Sequence, residues 1–220
     1  MIKNIIFDLD GTLADTYKDI IVSLNYSLKK WGITKRANYL IFKEIANKGS
    51  LHMVRAISKK NNSICKKIND DFLHHYQHNI CNKSSLKKNI LNFLKYCKKN
   101  NLKLFVSTNK NEKNAILILE KLKILKYFDF IAGSDTFKHK KPSSLHLKAL
   151  QKKFFFKKKE TIFIGDSEVD SKSAINFKIK FILLRNGYTR MKSSEIKSHY
   201  TISNYSNISR ILRIISNLSN

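Results

Sequence analysis

Ile5-Ile6-Phe7-Asp8-Leu9-Asp10-Gly11-Thr12-Leu13-Ala14-Asp15 is the stretch from which the rest of the chain is read. An apolar run meets two carboxylates, Asp8 and Asp10, and a glycine and a hydroxyl follow at once. That pattern predicts a buried strand entering a tight loop. In an open α/β sheet, ligands bind beyond the C-terminal ends of the strands. Two carboxylates at such an edge repel each other, so a cation is expected beside them.

Downstream of this loop the apolar spacing turns helical. Ile20, Leu24 and Leu28 recur every fourth residue, and Trp31-Gly32 closes that helix with glycine as its C-cap. Residues 38–47 predict a second helix, Asn47-Lys48-Gly49-Ser50 a break, Leu51–Ser58 a third helix, and Ile64–Ile80 a fourth carrying Ile68, Phe72 and Tyr76. No strand pattern occurs between residues 16 and 82. The expected organisation is an α/β core of residues 1–15 and 83–220, interrupted by an all-helical insertion at 16–82.

Strands and helices alternate from there on. Helices are expected at Leu86–Lys99, Glu112–Leu122, Leu145–Phe154, Ser171–Asn176 and Ile208–Leu218. Strands are expected at Leu102–Val106, Phe128–Ala132, Thr161–Ile164 and Ile179–Leu184, with an edge strand near Tyr200–Ile202. Such alternation implies a Rossmann-like parallel sheet with right-handed crossovers. In that arrangement the strand ends converge. The first strand brings Asp8 and Asp10, the 102–106 strand brings Ser107 and Thr108, and the 161–164 strand brings Asp166, with Asp170 four residues on. Lys141 precedes the chain's single proline, Pro142, which biases it towards an extended conformation and a defined direction. Several carboxylates together make a hard oxygen site suited to Mg²⁺, and a hydroxyl and a lysine beside them can hold a phosphate. The combination fits phosphoryl transfer, in which catalysis is mostly positioning and charge stabilisation.

In order along the chain, Asp8-Leu9-Asp10-Gly11-Thr12, Ser107-Thr108-Asn109, Lys141-Pro142 and Gly165-Asp166-Ser167-Glu168-Val169-Asp170 resemble the four motifs of the haloacid dehalogenase superfamily of hydrolases. The resemblance covers nearly the whole chain. It implies that Asp8 is a nucleophile forming an aspartyl phosphate, and that Asp10 is the general acid/base, lending its backbone carbonyl to the metal. It further implies that Thr108 binds phosphate, that Lys141 steadies the phosphoryl group, and that Asp166 and Asp170 hold Mg²⁺ with Asp8. The helical insertion is similar to the cap of such enzymes. Gly49 is read either as the cap's substrate-facing loop or as a plain helix break, and Asn109 and Lys110, just after Thr108, either as substrate-facing or as a solvated loop. Within the superfamily the chain is most similar to the phosphoglycolate phosphatases, through Asn47-Lys48-Gly49-Ser50-Leu51, Ser107-Thr108-Asn109-Lys110 and Asn186-Gly187-Tyr188. Lys83-Ser84-Ser85 replaces the Pro-Gly common before the helix leading to the second motif, and Ser143-Ser144 stands where a second proline is common. The implied activity is a Mg²⁺-dependent phosphomonoesterase acting on a small phosphorylated metabolite, 2-phosphoglycolate first. The same fold also serves nucleotidases, pyrophosphatases and sugar-phosphate phosphatases or mutases, the last disfavoured by Thr12.

Composition frames these expectations. The chain has 220 residues, 42% hydrophobic and 27% charged, with a net charge of +27. Such a charge raises a reading of another class, a non-enzymatic nucleic-acid-binding protein. Against it, the lysines are scattered rather than gathered, 37 of the 43 cationic residues are lysine, and Asn and Ile are abundant, as codon bias produces. A nucleic-acid binder would also leave the acidic strand ends unexplained. Cys65, Cys81 and Cys97 form no CxxC pair, which predicts reduced thiols and a cytoplasmic location. No run is long enough for a membrane span, and Asp8 and Asp10 interrupt the apolar N-terminus before it can serve as a signal segment. His74, His78 and Cys81 share one helix face, and this is read as polar surface rather than a metal site.

Overall fold

The computed structural model describes residues 2–207 and 211. The chain opens with β1 (Asn4–Phe7), then β2 (Ala14–Asp15) and four helices, α1 (Tyr17–Lys30), α2 (Tyr39–Ile45), α3 (Ser50–Ser58) and α4 (Asn62–His78). The alternating part follows as β3 (Ser85–Leu86), α5 (Ile90–Lys99), β4 (Lys103–Ser107), α6 (Glu112–Lys121), β5 (Phe130–Ala132) and α7 (Ser144–Phe154). It ends with β6 (Thr161–Gly165), α8 (Glu168–Phe177), β7 (Lys180–Leu184) and β8 (Tyr200–Ile202). The helix expected at 208–218 lies outside the described residues except at residue 211.

Six strands form one sheet in the order β5-β4-β1-β6-β7-β8, and every neighbouring pair is parallel. The chain builds outward from β1 through β4 and β5, then crosses to the other side for β6, β7 and β8. Strand order therefore reverses beside β1, and the crevice such a reversal opens lies at the C-terminal ends of the strands. This is the edge on which Asp8 stands.

The two faces of the sheet are covered by different helices, and the alternation of the strands supplies both. Ile6, Phe105, Phe163 and Phe181 lie in register across four strands and pack on one face with Leu147, Leu150, Ala174 and Phe177 of α7 and α8. Ile5, Phe7, Leu104, Val106, Ile162 and Ile164 point the other way, towards Phe93, Leu94, Ile118 and Leu119 of α5 and α6. All of these except Phe177 are fully buried. Burial of one such side chain contributes roughly 1.5–3 kcal/mol, so the sheet is a rigid base for its polar edge.

The four-helix insertion leaves and rejoins the core at one place. Ala14 and Asp15 pair antiparallel with Leu86 and Ser85. Asp19 in the first turn of α1 is buried and accepts from the backbone N–H of Lys83 and the Ser84 hydroxyl, fastening the returning chain to the departing one. At the far end, Trp31 Nε1 donates to Asp71 at 2.6 Å and Lys30 Nζ lies 2.8 Å from the same carboxylate, tying α1 to α4.

Two helix starts depart furthest from the sequence expectation. The helix expected from Leu86 begins only at Ile90, because the backbone of Ser85 and Leu86 is taken up by the ribbon with β2 and Lys87 N–H donates to Leu13. The helix expected from Ser171 begins three residues earlier, at Glu168. There the Ser167 side chain accepts from Asp170 N–H while the Asp170 carboxylate accepts from Ser167 N–H. This reciprocal box satisfies helix-start donors that otherwise have no intrahelical partner.

Candidate active site

Four loops at the C-terminal edge of the sheet bring the strand-end residues together. Asp8 follows β1, and its N–H donates to Ile164 in β6, so the ladder continues into the loop. Asp166 follows β6, and Asp170 sits in the first turn of α8. Lys141, whose peptide bond to Pro142 is cis, enters from the loop before α7. Asp8, Asp166, Asp170 and Lys141 are all buried.

Lys141 Nζ donates to Asp8 Oδ1 and to Asp170 Oδ1, each at 2.6 Å, and sits above the Phe163 ring. Burial alone would drive the ammonium to release its proton, but the Asp170 and Asp8 carboxylates reverse this and hold its pKa above the ordinary value. Asn109 steadies the same loop, its side-chain amide donating to the Lys141 carbonyl at 3.0 Å.

One oxygen from each of Asp8, Asp166 and Asp170 lies within 4.8 Å of the other two. The cluster is short of positive charge. Burial raises the Asp8 pKa well above the carboxylate norm; Lys141 opposes this, and Asp170, Asp166 and Asp10 add to it. Burial and then Asp170 push Asp166 up to about 7, against hydrogen bonds from Tyr188 N–H and the Thr12 hydroxyl. Three carboxylates and one ammonium carry a formal charge of −2, which a divalent cation neutralises. The donor set, all carboxylate oxygen, suits a hard cation. These residues therefore fit a metal ion such as Mg²⁺. Among the described residues no other group of three acidic, histidine or cysteine side chains meets this geometry; the His74 and His78 rings lie 4.4 Å apart, tilted by 42°, and His78 bonds the His74 carbonyl.

Asp10 contributes no carboxylate oxygen to that cluster. Its side chain faces the other way, accepting from the Thr16 hydroxyl and pairing with Lys110 Nζ at 3.3 Å. Asp8 and Asp10, one residue apart, thus stand in different environments, one against Lys141 and the other against Thr16 and Lys110.

Thr108 is buried where β4 ends, and its hydroxyl accepts from Lys110 N–H. A cavity of about 490 Å³ opens above these groups, and Asp8, Asp10, Thr108, Asn109, Lys141 and Asp166 are among the residues that line it. Its roof comes from the helical insertion, where Gly49, Met53, Phe72 and Tyr76 face it. Gly49 has φ +90°, a left-handed conformation that favours glycine, and α3 begins at the next residue. Each site residue expected from the sequence thus borders one cavity. Asp15, at the end of the opening stretch, does not; it pairs with Lys87 outside it at 2.6 Å.

Four further residues belong to the site's surroundings. Thr12 donates to Asp166 Oδ1 at 3.0 Å, and Tyr188 N–H donates to Asp166 Oδ2 at 2.6 Å. The Tyr188 hydroxyl accepts from the N–H groups of Thr16 and Tyr17, at 2.7 and 3.2 Å. Lys110 and Tyr76 form the remaining pair. Tyr76 belongs to an apolar stripe at helical spacing, and a stripe of that kind reads as core; only its hydroxyl, an apolar body with a polar tip, signals a second role.

The family model of haloacid dehalogenase-like hydrolases matches residues 5–184. A phosphoglycolate phosphatase of Mesorhizobium japonicum is 30% identical over 205 residues, covering 91% of this chain and 90% of that protein. A phosphoglycolate phosphatase of Pasteurella multocida is 28% identical over 219 residues, covering 96% and 98%. The crystal structure of a predicted phosphoglycolate phosphatase from Haemophilus somnus 129PT superposes with a TM-score of 0.88 at 27% identity, covering 96% of this chain and 98% of that one.

Proposed function

The chain belongs to the haloacid dehalogenase-like hydrolases and is a phosphatase of that superfamily, and on this premise we propose that it hydrolyses 2-phosphoglycolate to glycolate and phosphate with Mg²⁺. The observation that carries the proposal is the buried set of Asp8, Asp166 and Asp170 around Lys141, facing a cavity too small for a polymer and roofed by helices. The names of the relatives at 28–30% identity support the choice of substrate.

In this mechanism Asp8 attacks phosphorus, and the bond between phosphorus and the leaving oxygen breaks as the Asp8–phosphorus bond forms. Asp10 passes a proton to the leaving oxygen. It then takes a proton from the water that hydrolyses the aspartyl phosphate and restores Asp8. Lys141 holds Asp8 in line and neutralises charge on the phosphoryl oxygens, while Thr108 donates to another of them. Asp8, Asp166, Asp170 and the Asp10 carbonyl would hold Mg²⁺, which would neutralise charge on the incoming phosphate and favour the ionised form of Asp8. Residues 1–15 and 83–220 serve as the catalytic core. Residues 16–82 serve as a cap that excludes water during attack, with Gly49 and Asn109 facing the substrate.

Steady-state kinetics of the purified chain across 2-phosphoglycolate, nucleotides, hexose phosphates and pyrophosphate, with and without Mg²⁺, test this directly. The expected result is a Mg²⁺-dependent kcat/KM highest for 2-phosphoglycolate, lost in Asp8→Asn. Activity retained by Asp8→Asn would overturn the mechanism, and a higher kcat/KM for another ester would overturn the substrate.

A further inference from the structure

Lys110 is a cation buried between two parts of the fold. Its side chain is 9% exposed. Nζ donates to the Tyr76 hydroxyl of α4 at 3.0 Å, lies 4.9 Å from the centre of the Tyr76 ring, and pairs with Asp10 Oδ2 at 3.3 Å. An ammonium has three N–H donors. Among the described residues Tyr76 and Asp10 take two of them.

The surroundings of Nζ are one-sided. On the cap side the cavity wall is largely apolar, with Ile20, Phe42, Met53, Phe72 and Leu73. Lys48 and Lys140 also border the cavity, but both are exposed, and among the described residues no side-chain partner braces either. Lys110 is braced by a phenol and a ring face, so the place where its charge acts is set before any ligand arrives. Such preorganisation reduces the ordering cost of recognition.

Position then specifies what the charge is for. The leaving oxygen of a phosphate ester must come within about 2.8 Å of the Asp10 carboxylate to take its proton. Lys110 Nζ is 3.3 Å from that same carboxylate. An anionic group one carbon away from the leaving oxygen would fall within hydrogen-bond reach of Nζ. A neutral alcohol at that point would leave a buried ammonium with a weaker partner.

We propose that Lys110, braced by Tyr76, determines specificity by receiving a carboxylate carried on the carbon next to the leaving oxygen. This rests on the hydrolase reading above and adds the residue that chooses among its substrates. The helical insertion takes part in the choice through Tyr76, although the cation itself stands on the core, two residues after Thr108.

The test compares 2-phosphoglycolate with 2-hydroxyethyl phosphate, which replaces the carboxylate by a neutral alcohol on a chain of the same length. The readout is the ratio of their kcat/KM values, so a general loss of rate in a variant cancels. Wild type is expected to favour the carboxylate by about 10- to 100-fold, the range of one charge-assisted hydrogen bond. Lys110→Met should bring the ratio to within about threefold of unity, and Lys110→Arg should keep most of the preference. Tyr76→Phe retains the ring and removes only the brace; it should raise KM for 2-phosphoglycolate more than for the neutral ester, and it serves if Lys110→Met does not fold. A wild-type preference that survives unchanged in Lys110→Met, or in Tyr76→Phe where that alone folds, would overturn the assignment while leaving the substrate intact. A wild type with no preference would overturn the assignment and the substrate together.

Discussion

Gly187 lies against Asp166 so closely that a methyl group on its Cα would overlap the carboxylate. The backbone after β7 thereby forms one wall of the acidic cluster, and the next residue, Tyr188, donates its N–H to the same side chain. Gly187→Ala must displace Asp166 or the loop. The expected outcome is a loss of at least about 100-fold in kcat/KM, because small misplacements of reacting groups are costly. Gly32→Ala is the control. No atom stands within reach of a Cβ there, but φ is +66°, so it should cost about 1 kcal/mol of stability and leave turnover alone. Thermal melting and steady-state rates on the two variants check both halves.

The charge deficit of the site predicts stabilisation by a divalent cation. With Mg²⁺ at about 100 times its dissociation constant, the melting temperature should rise by about 5–10 °C. Asp166→Asn should lose most of that rise. Thermal melts in Mg²⁺ and in EDTA measure it, and equal shifts in wild type and variant would place the cation elsewhere.

Among the described residues Lys141 is the one cation bonded to two of the three clustered carboxylates. Lys141→Met removes it and leaves Asp8 and Asp170 facing each other in a dry setting. Breaking a buried pair in this way costs about 3–5 kcal/mol. Activity should fall by at least about 1,000-fold, and the variant should melt further below wild type in EDTA than in Mg²⁺. A variant with wild-type melting in EDTA would show that Lys141 carries little structural charge balance.

Acid should weaken the fold through its histidines, the buried His146 foremost. His146 is fully buried, its Nδ1 bonded to the His139 carbonyl. Burial holds its pKa below the ordinary 6.5, and His75 and His199 shift the same way for the same reason. The unfolded chain therefore takes up protons first as pH falls. Stability from these groups is complete above about 6.5 and is lost as pH drops from there towards the folded values, by at most about 1.4 kcal/mol per unit for one residue. Melting temperatures from pH 8 to 5.5 should decline less steeply in His146→Gln than in wild type.

The three thiols should differ in reactivity. Cys65 and Cys97 are fully buried, and burial pushes the Cys97 thiol up to about 12. Cys81 is partly exposed, with a thiol raised by burial above its usual value. A thiol reagent at neutral pH should modify Cys81 alone in the native protein, more slowly than free cysteine, and all three after unfolding. Fast reaction at Cys97 would contradict the packing of α5 on the sheet.

Much of this site is legible in the sequence, for a physical reason. Asp8, Thr108, Lys141 and Asp166 stand at or just beyond strand ends or in the loops between strands and helices, with Asp170 one helical turn further on, and a parallel sheet brings strand ends to one edge whatever the strand order. The continuous apolar runs of β1, β4, β6 and β7, buried on both faces, place those ends within a residue. Residues whose role depends on how separate segments meet are not legible in the same way. Tyr188 follows a strand by four residues and acts through both its backbone and its hydroxyl; Tyr76 hides in an apolar stripe, and its bond to Lys110 joins two segments far apart in the chain. The early start of α8 has a local cause: Ser167 and Asp170 cap each other, and in sequence a capping box is hard to tell from a polar loop. The late start of α5 has the opposite cause, a tertiary pairing that overrides helical spacing at Ser85 and Leu86.

Tyr188 grips Asp166 with its backbone and, with its hydroxyl, the first N–H groups of the polypeptide that leads into α1. Its ring is clasped by Tyr17 and Phe42 of the helical insertion. A tilt of those helices relative to the sheet would reach Asp166 through a single stiff aromatic side chain, with no flexible segment between to absorb it. Cation affinity and helix orientation are thus two readings of one lever, whose fulcrum lies at the loop after β7.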